Sequence, residues 1–309
     1  MILFRFLMFY IFFVLFIHNA SAKGAGSFEI DEEAAVRALE HSLVQSGSLL
    51  LEKGKFDFQL GLGFSHTEND ALLFGSVDSN RIIGQVKNTF TSINMPLRLR
   101  AGLPYKAQID FEIPLLYASQ QFIQTNGRNL PVDNNQHGSG IGDVNITLSK
   151  TLSREKGNRP DMIGFFSWDT SSGKKSDNGV SISEGFNEFS LGLTLTKSQD
   201  PLVFSGTFSA QRSIEKDNIK PGDQYQFSLA TFLAASPSTS LKFSFEQIFL
   251  AKTKVNNKEI VDSERTIALL NIRISSVVRR NTFLSLSAGA GLTNDSPDYT
   301  VNLSLSKRF

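Results

Sequence analysis

The chain of 309 residues has no cysteine, one tryptophan and only four histidines. Without cysteine, neither disulfides nor thiolate-bound metals can support the fold. A lipid anchor on an N-terminal cysteine is excluded for the same reason. Few histidines leave few candidates for a general base or a metal ligand. We therefore expect no metal, no cofactor and no enzymatic activity.

An excess of one charge is also missing. The sequence has 31 Lys and Arg against 30 Asp and Glu, so nothing favours nucleic acid as a partner. The only long apolar run is Phe6–Ile17, which follows Arg5 and precedes Ala20-Ser21-Ala22. This order predicts a signal peptide over residues 1–22, with an uncleaved anchor as the alternative. Further along, no segment approaches the roughly 20 apolar residues of a membrane helix.

One helix is predicted near the start, over Ile30–Gly47. Acidic residues open it, as suits the positive end of a helix dipole, and Gly47 is a stop signal. Val36, Leu39 and Leu43 recur at helical spacing and form an apolar stripe. We predict that residues 23–54 form a plug segment, with this stripe seated in the body of the protein; a surface-packed extension is the alternative.

Beyond residue 54 the apolar pattern changes to a period of two, which predicts β-strands. In the last strand Tyr299, Val301, Leu303 and Leu305 alternate with polar residues. Twelve strands are predicted, over 55–66, 87–101, 105–118, 141–153, 160–170, 184–198, 201–213, 222–235, 238–252, 262–276, 279–292 and 297–309. The faces of the fifth strand, 160–170, are ambiguous.

Strand length and loop length together predict a membrane barrel. The strands match the 9–11 residues of a tilted membrane strand and exceed the five or six usual in globular sheets. Short links alternate with longer ones, of which Thr67–Gln85 and Ser119–Gly140 are expected to be long loops. The predicted fold is all-β: a 12-stranded antiparallel transmembrane β-barrel over 55–309, preceded by a short N-terminal helix. A soluble β-sandwich is the alternative.

The two faces of such a barrel meet different surroundings, lipid on the outside and the lumen on the inside. Aromatic residues near the strand ends suit the membrane interface, and we assign Tyr105, Tyr117, Tyr299 and Phe309 to it. The polar face must line a lumen; its candidates are Arg98, Arg100, Lys106, Asp110, Glu112, Asp143, Glu188, Gln211, Lys242, Glu246, Arg273 and Arg308. Both charge signs are present, so strong ion selection is not expected, and pairing that braces the wall is equally open.

Several stretches resemble the MetA-type phenol-degradation family of outer-membrane transporter-like barrels. They are LRLRAGLPYKAQIDFEIPLLY (97–117), GSGIGDVNITLSKTL (138–152), GFNEFSLGLTLTKSQDPLVFSGTFS (185–209), IKPGDQYQFSLATFLA (219–234) and GAGLTNDSPDYTVNLSLSKRF (289–309). SWDTSSGKK (167–175) departs from the proline-threonine-glycine step of that family. The resemblance implies passage of a solute across the outer membrane of a Gram-negative cell.

The segment VQSGSLLLEKGKFDFQLGLGFSHT (44–67) is similar to the entry of the fap-type functional-amyloid export pore. That resemblance implies a helix that plugs the barrel from the periplasmic side. It leaves a homotrimer and a polypeptide client open, although the longer coiled-coil region of such pores is missing here.

Three functions follow for comparison. The first is a channel or transporter for small solutes, hydrophobic or aromatic ones included, gated by the helix Asp31–Ser46 or by the 119–140 loop. The second is a secretion pore for an extended polypeptide such as an amyloid subunit. The third is a barrel enzyme, which His66 supports poorly because Ser65 points to the opposite face of its strand. The expected partners are the lipid bilayer and the barrel-assembly machinery, which would read the C-terminal strand ending at Phe309.

Overall fold

The computed structural model describes residues 32–77, 80–126, 132–236 and 238–309. The predicted signal peptide 1–22 and the start of the plug segment lie outside the described residues. The helix is α1 (Glu32–Gln45), and the strands are β1 (Phe56–Val77), β2 (Asn80–Leu103), β3 (Ala107–Asn126), β4 (Val132–Ile141), β5 (Asn145–Ser153), β6 (Asp161–Asp169), β7 (Ser176–Asp177), β8 (Val180–Ser181), β9 (Glu188–Gln199), β10 (Leu202–Ser213), β11 (Ile219–Lys220), β12 (Gln224–Ser236), β13 (Thr239–Leu250), β14 (Lys254–Val255), β15 (Lys258–Glu259), β16 (Arg265–Arg279), β17 (Thr282–Gly291) and β18 (Tyr299–Arg308).

Twelve of these strands form one closed antiparallel barrel, as predicted. The wall runs β1, β2, β3, β5, β6, β9, β10, β12, β13, β16, β17 and β18, each paired with the next. The ring closes where β18 pairs with β1, from Asp57 opposite Arg308 to His66 opposite Tyr299. Phe56 and Phe309 exchange backbone hydrogen bonds of 3.2 and 2.8 Å at the end of this seam. Closure leaves no open strand edge in the wall at this seam, as a lipid environment requires.

The outer surface of the wall is apolar and the inner surface is polar. On β1, Phe56, Phe58 and Leu60 are 46–47% exposed, whereas Asp57, between Phe56 and Phe58, is fully buried. The ambiguous strand, β6, is now assigned: Phe166 and Trp168 point outward and Ser167 points inward. The alternation therefore places apolar side chains on the exterior and polar side chains on the interior along the described strands.

The links between wall strands are sorted by length. Three residues, Pro104–Lys106, join β2 to β3, and the pair Asp200-Pro201 joins β9 to β10. At the opposite end, residues 170–187 join β6 to β9 and residues 251–264 join β13 to β16. Because bacterial barrels have short periplasmic turns and long extracellular loops, the end that carries Phe56 and Phe309 is the periplasmic one.

Two regions predicted as loops are strands, so that prediction is wrong. Thr67–Gln85 continues β1 and β2 as a hairpin paired as far as Val77 opposite Asn80. Ser119–Gly140 continues β3 and contains β4, which pairs with it. Beyond the bilayer a strand needs no apolar outer face, so the backbone ladder goes on after the alternating pattern has ended. The tips of both hairpins, 78–79 and 127–131, lie outside the described residues.

The wall strand predicted over 141–153 is interrupted. β4 stops at Ile141 and β5 starts at Asn145, and both pair with β3. Pro114 of β3 lies at the break, where its carbonyl accepts a 2.8 Å hydrogen bond from Gly142 N. Proline has no amide hydrogen for the ladder, which explains an irregular strand at this position.

No helix within the described part of the chain is both long and apolar enough to cross a bilayer.

The lipid-facing assignment predicts the effect of a charge on the outer wall. Leu303 lies on the outer face of β18 between Leu62 and Leu286, midway along the strand. Leu303→Arg should lower the free energy of unfolding by about 2–4 kcal/mol, since a cation at mid-bilayer depth is poorly solvated. Urea unfolding in lipid vesicles measures this. Leu303→Met is the matched control and should change stability by less than about 1.5 kcal/mol; equal effects of Arg and Met would contradict the assignment.

Candidate functional site

The inner wall is dominated by small hydroxyl side chains. Those that are buried include Ser149, Ser167, Thr194, Thr196, Ser205, Ser209, Ser213, Ser240, Ser275, Ser285, Ser287 and Ser306. Such short side chains leave space along the axis of the barrel, which larger ones would fill. They also offer hydrogen-bond donors and acceptors to whatever occupies that space.

Helix α1 occupies it. The hydroxyl of Ser42 lies 2.5 Å from that of Ser240, and Ser240 Oγ also donates to the Ala38 carbonyl at 3.2 Å. Ala38, Ser42 and Ser240 are each no more than 1% exposed. Ser240 lies at the start of β13, close to the periplasmic end. The helix therefore enters the lumen from that end and is enclosed by the wall.

The plug turns back inside the barrel. Gly47, with φ +70°, ends α1, and Ser48 N bonds the Leu43 carbonyl at 2.9 Å in a glycine-terminated cap. The chain then descends, with Ser48 Oγ 2.8 Å from Ser205 Oγ and Leu51 N donating to Gln108 Oε1 at 2.8 Å. The deepest part of the plug is consequently its tip, Gln45–Gly47.

His41 is the most enclosed polar group of the plug, and sequence reasoning did not single it out. It is fully buried, its Nε2 lies 2.5 Å from Ser306 Oγ, and its ring stacks on Phe283 at 3.8 Å. Burial, aided by the positive charges of Arg308, Arg100 and Arg273, lowers the pKa of His41 far below its usual value. The imidazole is therefore neutral while the plug is seated.

The predicted apolar stripe is not the face that seats most deeply. Leu39 and Leu43 are half-buried, whereas Ala38, His41 and Ser42 are buried; the side chain of Val36 lies outside the described residues. The reason is the nature of the receptor, because a wall lined with hydroxyls binds small and hydrogen-bonding groups better than leucine. The assignment of the plug to Val36, Leu39 and Leu43 thus needs correction toward the polar face.

The predicted lumen charges on β2 and β3 form a paired network. Arg98 pairs with Glu112 across the two strands. Arg100 Nη1 donates to Asp57 Oδ1 at 2.9 Å, with both side chains at most 1% exposed, and its Nε lies 3.9 Å from Asp110 Oδ2. These contacts join β1, β2 and β3 on the inside of the wall, which supports the bracing interpretation for this group.

Other predicted lumen residues also lie on the inner face. Glu188 accepts hydrogen bonds from Gln211 and Ser213, and Glu246 accepts one from Gln226 Nε2 at 2.7 Å. The cations Lys242, Arg273 and Arg308 share the inner surface: Lys242 lies 5.4 Å from the Phe232 ring, Arg273 is its cross-strand neighbour, and Arg308 lies 5.5 Å from the Phe283 ring.

Two members of the predicted lumen set lie elsewhere. Lys106 is exposed in the short β2–β3 turn with φ +56°, so its assignment to the lumen is wrong; β3 begins only at Ala107, after the turn has reversed the chain. Asp143 lies in the break between β4 and β5. Its two carboxylate oxygens accept from Gly173 N at 2.8 Å and Gly185 N at 3.1 Å, which ties down the segment 170–187.

That segment covers the inner face of the wall near the extracellular end. Asp177 Oδ2 accepts from Ser139 N at 2.9 Å, and Val180 and Ile182 are buried at 0% and 6% exposure. Ala118, on the same inner face as Gln108 of β3, is 3% exposed. The extracellular mouth is thus narrowed by 170–187, whereas the predicted gate 119–140 forms strands of the wall.

A cavity of about 230 Å³ lies between the tip of the plug and the wall. Its lining is mostly polar and comprises Val44, Gln45, Ser46, Gly47, Arg98, Arg100, Asp110, Glu112, Asn145, Thr147, Ser149, Phe165, Thr194 and Thr207. Only Val44 and Phe165 contribute apolar side chains. A second cavity of about 460 Å³ opens at the periplasmic rim, between Leu50–Lys53 and the β2–β3 turn.

The aromatic residues assigned to the membrane interface are on the outside. Tyr117, Tyr299 and Phe309 are exposed on the outer wall, and Tyr105 is 87% exposed in the β2–β3 turn. Their contact with lipid headgroups stays a prediction. Among the described residues there is no cluster of three or more His, Cys, Asp or Glu that could hold a metal ion.

Residues 113–309, more than half of the chain, match the model of the family described as "MetA-pathway of phenol degradation". The chain belongs to this family. Together with the closed wall and its apolar exterior, family membership identifies the protein as an outer-membrane β-barrel.

One solved structure supports the fold, and two others are more distant. An outer membrane channel from Pseudomonas putida F1 is 14% identical, with a TM-score of 0.61 over 84% of this chain and 97% of that one. The P. putida toluene transporter TodX is 8% identical, with a TM-score of 0.40 over 82% and 90%. The transport unit of the Escherichia coli autotransporter AIDA-I is 13% identical, with a TM-score of 0.42 over 89% and 97%. Only the P. putida F1 channel has a TM-score above 0.5, and at 14% identity its similarity concerns the fold alone.

The contact between the plug and the wall predicts that a reversible disulfide can hold the plug in the lumen. Because the chain has no cysteine of its own and Ser42 Oγ lies 2.5 Å from Ser240 Oγ, Ser42→Cys with Ser240→Cys should form a single disulfide between plug and wall. The oxidised barrel should show little conductance in planar bilayers, and reduction should restore the wild-type level. Thr239→Cys with Ser276→Cys, which joins two wall strands whose hydroxyls lie 3.0 Å apart, is the control and should not respond in this way. Conductance that ignores reduction in the first variant would show that the plug does not control passage.

The buried imidazole predicts acid-induced release of the plug. Seated His41 is neutral because its pKa is lowered, whereas in a released plug the pKa returns to about 6.5. The released state therefore binds one more proton below that pH, and seating is stable above pH 6.5 and weakens as the pH falls. Between pH 7.5 and 5.5 the open fraction should rise about tenfold.

Bilayer recordings at the two pH values measure this change. His41→Gln keeps a polar side chain without a titrating group, so its open fraction should be nearly flat. An equal rise in wild type and His41→Gln would assign the effect to other groups in the lumen.

Proposed function

We propose that this barrel is a channel for small solutes and that the plug, α1 with residues 46–55, is its gate. The observation that carries the proposal is the plug itself. It lies in the lumen, where Ala38, Val44, Leu50 and Leu51 are buried and where its polar groups reach the wall through separate hydrogen bonds, among them those of Ser42, Ser48 and His41. Such contacts each contribute only about 0.5–1.5 kcal/mol, so they suit an element that must leave and return.

The seat is also incomplete. Buried His41 Nδ1 and Gln45 Nε2 have no hydrogen-bond partner within the described ranges. A buried polar atom without a partner costs free energy relative to its hydrated state.

The cavity beside the tip of the plug supports a small solute. Its volume of about 230 Å³ lies below the usual range for drug-sized ligands, while a cavity near 150 Å³ can hold benzene. Phe165 offers one aromatic surface, and the remaining wall offers hydroxyls, an amide and the paired charges of Arg98 and Glu112. A single ring that carries a polar substituent fits this lining, in keeping with the phenol of the family description.

The paired charges support weak ion selection. Arg98 with Glu112 and Arg100 with Asp57 present both signs at the same level of the lumen. A solute without net charge meets neither an electrostatic barrier nor a strong trap there.

The competing functions have less support. His66 Nδ1 lies 3.0 Å from Thr91 Oγ1 and its ring stacks on Tyr299, a structural role that argues against a nucleophile–base pair. Secretion of an extended polypeptide would require both the plug and the segment 170–187 to move. Recognition of the strand ending at Phe309 by the barrel-assembly machinery, and assembly as a homotrimer, stay predictions.

Removal of the plug tests the proposed function. Deletion of residues 23–52 should raise the rate of liposome swelling with phenol-sized neutral solutes several-fold, because the lumen loses its occluding segment. Deletion of residues 23–31 alone leaves α1 intact and is the matched control, which should swell at the wild-type rate. A plug-deleted barrel that still folds, as shown by heat-modifiable gel mobility, but swells no faster than wild type would contradict the proposal.

A further inference from the structure

Charge is unevenly distributed between the two ends of the barrel. Ten exposed cations surround the periplasmic end: Lys53, Lys55, Lys106, Lys150, Arg154, Lys156, Arg159, Arg279, Arg280 and Lys307. Acidic residues at the same end are few, and two of them are already engaged: Glu155 accepts from Lys197 Nζ at 2.5 Å, and Asp161 accepts from Glu155 N at 2.7 Å. The periplasmic rim is therefore strongly basic although the whole chain is nearly neutral.

The cations of the rim are not neutralised by the chain itself. None of the ten lies within 4 Å of a carboxylate in the part of the chain that the structure describes. Toward the extracellular end the cations are mixed: Lys87, Lys174, Arg212, Lys252 and Lys254 each form an ion pair with Asp or Glu, whereas Lys175, Lys258 and Arg265 form none with the described residues. Ten exposed and unpaired cations on one rim indicate an anionic partner outside the chain.

These residues follow one another around the barrel. They come from residues 53–55 before β1, the β2–β3 turn, β5 and its turn to β6, the end of β16 and its turn to β17, and β18. In the wall, β16, β17, β18, β1, β2, β3, β5 and β6 are consecutive, so the ten cations form a continuous basic arc. The β9–β10 turn, Asp200-Pro201, interrupts it on the other side.

Two members of the basic arc lie on the lipid face of the wall. Lys150 lies on the same face of β5 as Leu148 and Leu152, which are 49% and 60% exposed. Lys307 lies on the same face of β18 as Leu305, and its Nζ lies 5.0 Å from the ring of Phe309. A lysine on an apolar surface near the strand end extends its ammonium to the headgroup level and keeps its methylenes in the hydrocarbon. A soluble acidic partner would not reach this position without displacing lipid.

We propose that the basic arc binds the phosphate groups of anionic phospholipids in the periplasmic leaflet. Each cation near an anionic surface adds a favourable electrostatic contribution, so several together give a clear preference for anionic over zwitterionic lipid. Lys53 and Lys55 lie at the C-terminal end of the plug, where Gly54 N is bonded to the Gly102 carbonyl at 3.0 Å. Lipid bound there would hold the exit of the plug at a fixed depth in the membrane.

Spin-labelled lipids test the proposal on the complete barrel in phosphatidylcholine vesicles. Wild type should immobilise labelled phosphatidylglycerol about three- to fivefold more than labelled phosphatidylcholine, with the difference reduced in 0.5 M salt, where the Debye length is short. The rim variant Lys150→Gln/Arg154→Gln/Lys307→Gln should bring the ratio close to one.

The control removes the same charges at the other end. Lys220→Gln/Lys258→Gln/Arg265→Gln takes two lysines and one arginine from the extracellular side and should keep the wild-type ratio. The charge-conserving variant Lys150→Arg/Arg154→Lys/Lys307→Arg should also keep it. If the triple rim variant fails to fold, the single substitution Lys307→Gln should still lower the ratio.

Two results would overturn the proposal. One is an unchanged preference for phosphatidylglycerol in the folded rim variant. The other is no preference in wild type while soluble polyglutamate binds the rim, which would assign the basic arc to an acidic protein instead. Neither result depends on solute passage, and neither bears on the proposed gate.

Discussion

The need to satisfy every backbone hydrogen bond within lipid governs this structure. It forces the last strand back to the first, so Phe309 must meet Phe56. It also explains why the interruption between β4 and β5 carries a compensating bond from Gly142 to the Pro114 carbonyl. A closed cylinder then has an inside, and because alternate side chains point inward, the polar half of each strand is enclosed. The lumen, its charges and its plug follow from that closure.

A closed polar lumen poses a second problem, which is what fills it. Small hydroxyls on the wall make room for α1, and the helix offers His41 and Ser42 to them. The plug combines buried apolar residues, Ala38, Val44, Leu50 and Leu51, with buried hydrogen-bonding groups, so its contact with the wall is more polar than an ordinary protein core. Buried hydrogen bonds are individually modest, and some polar atoms of the plug are unmatched.

The two ends of the barrel meet different surroundings, and the charges reflect this. Several cations near the extracellular loops, among them Lys87, Lys174 and Arg212, are paired within the chain, which helps to hold those loops together. On the periplasmic rim the cations are left free beside exposed aromatic and aliphatic side chains. That contrast follows from the position of the rim against the bilayer, where headgroups can supply the missing negative charge.

The sequence by itself determined the number of wall strands, the inward and outward faces of those that alternate clearly and the closure at Phe309, because a lipid exterior demands an apolar residue at every second position. It also placed a helix ending at Gly47, since the stop signal is local. Only the tertiary structure decided which face of the helix seats, which is His41 and Ser42 rather than Leu39 and Leu43, because the chemistry of the receptor depends on strands up to 265 residues away. The partner of Arg100, Asp57, required the register of β1 on β2. The hairpins at 67–85 and 119–140 were likewise invisible, because above the membrane pairing continues without the apolar pattern that reveals it.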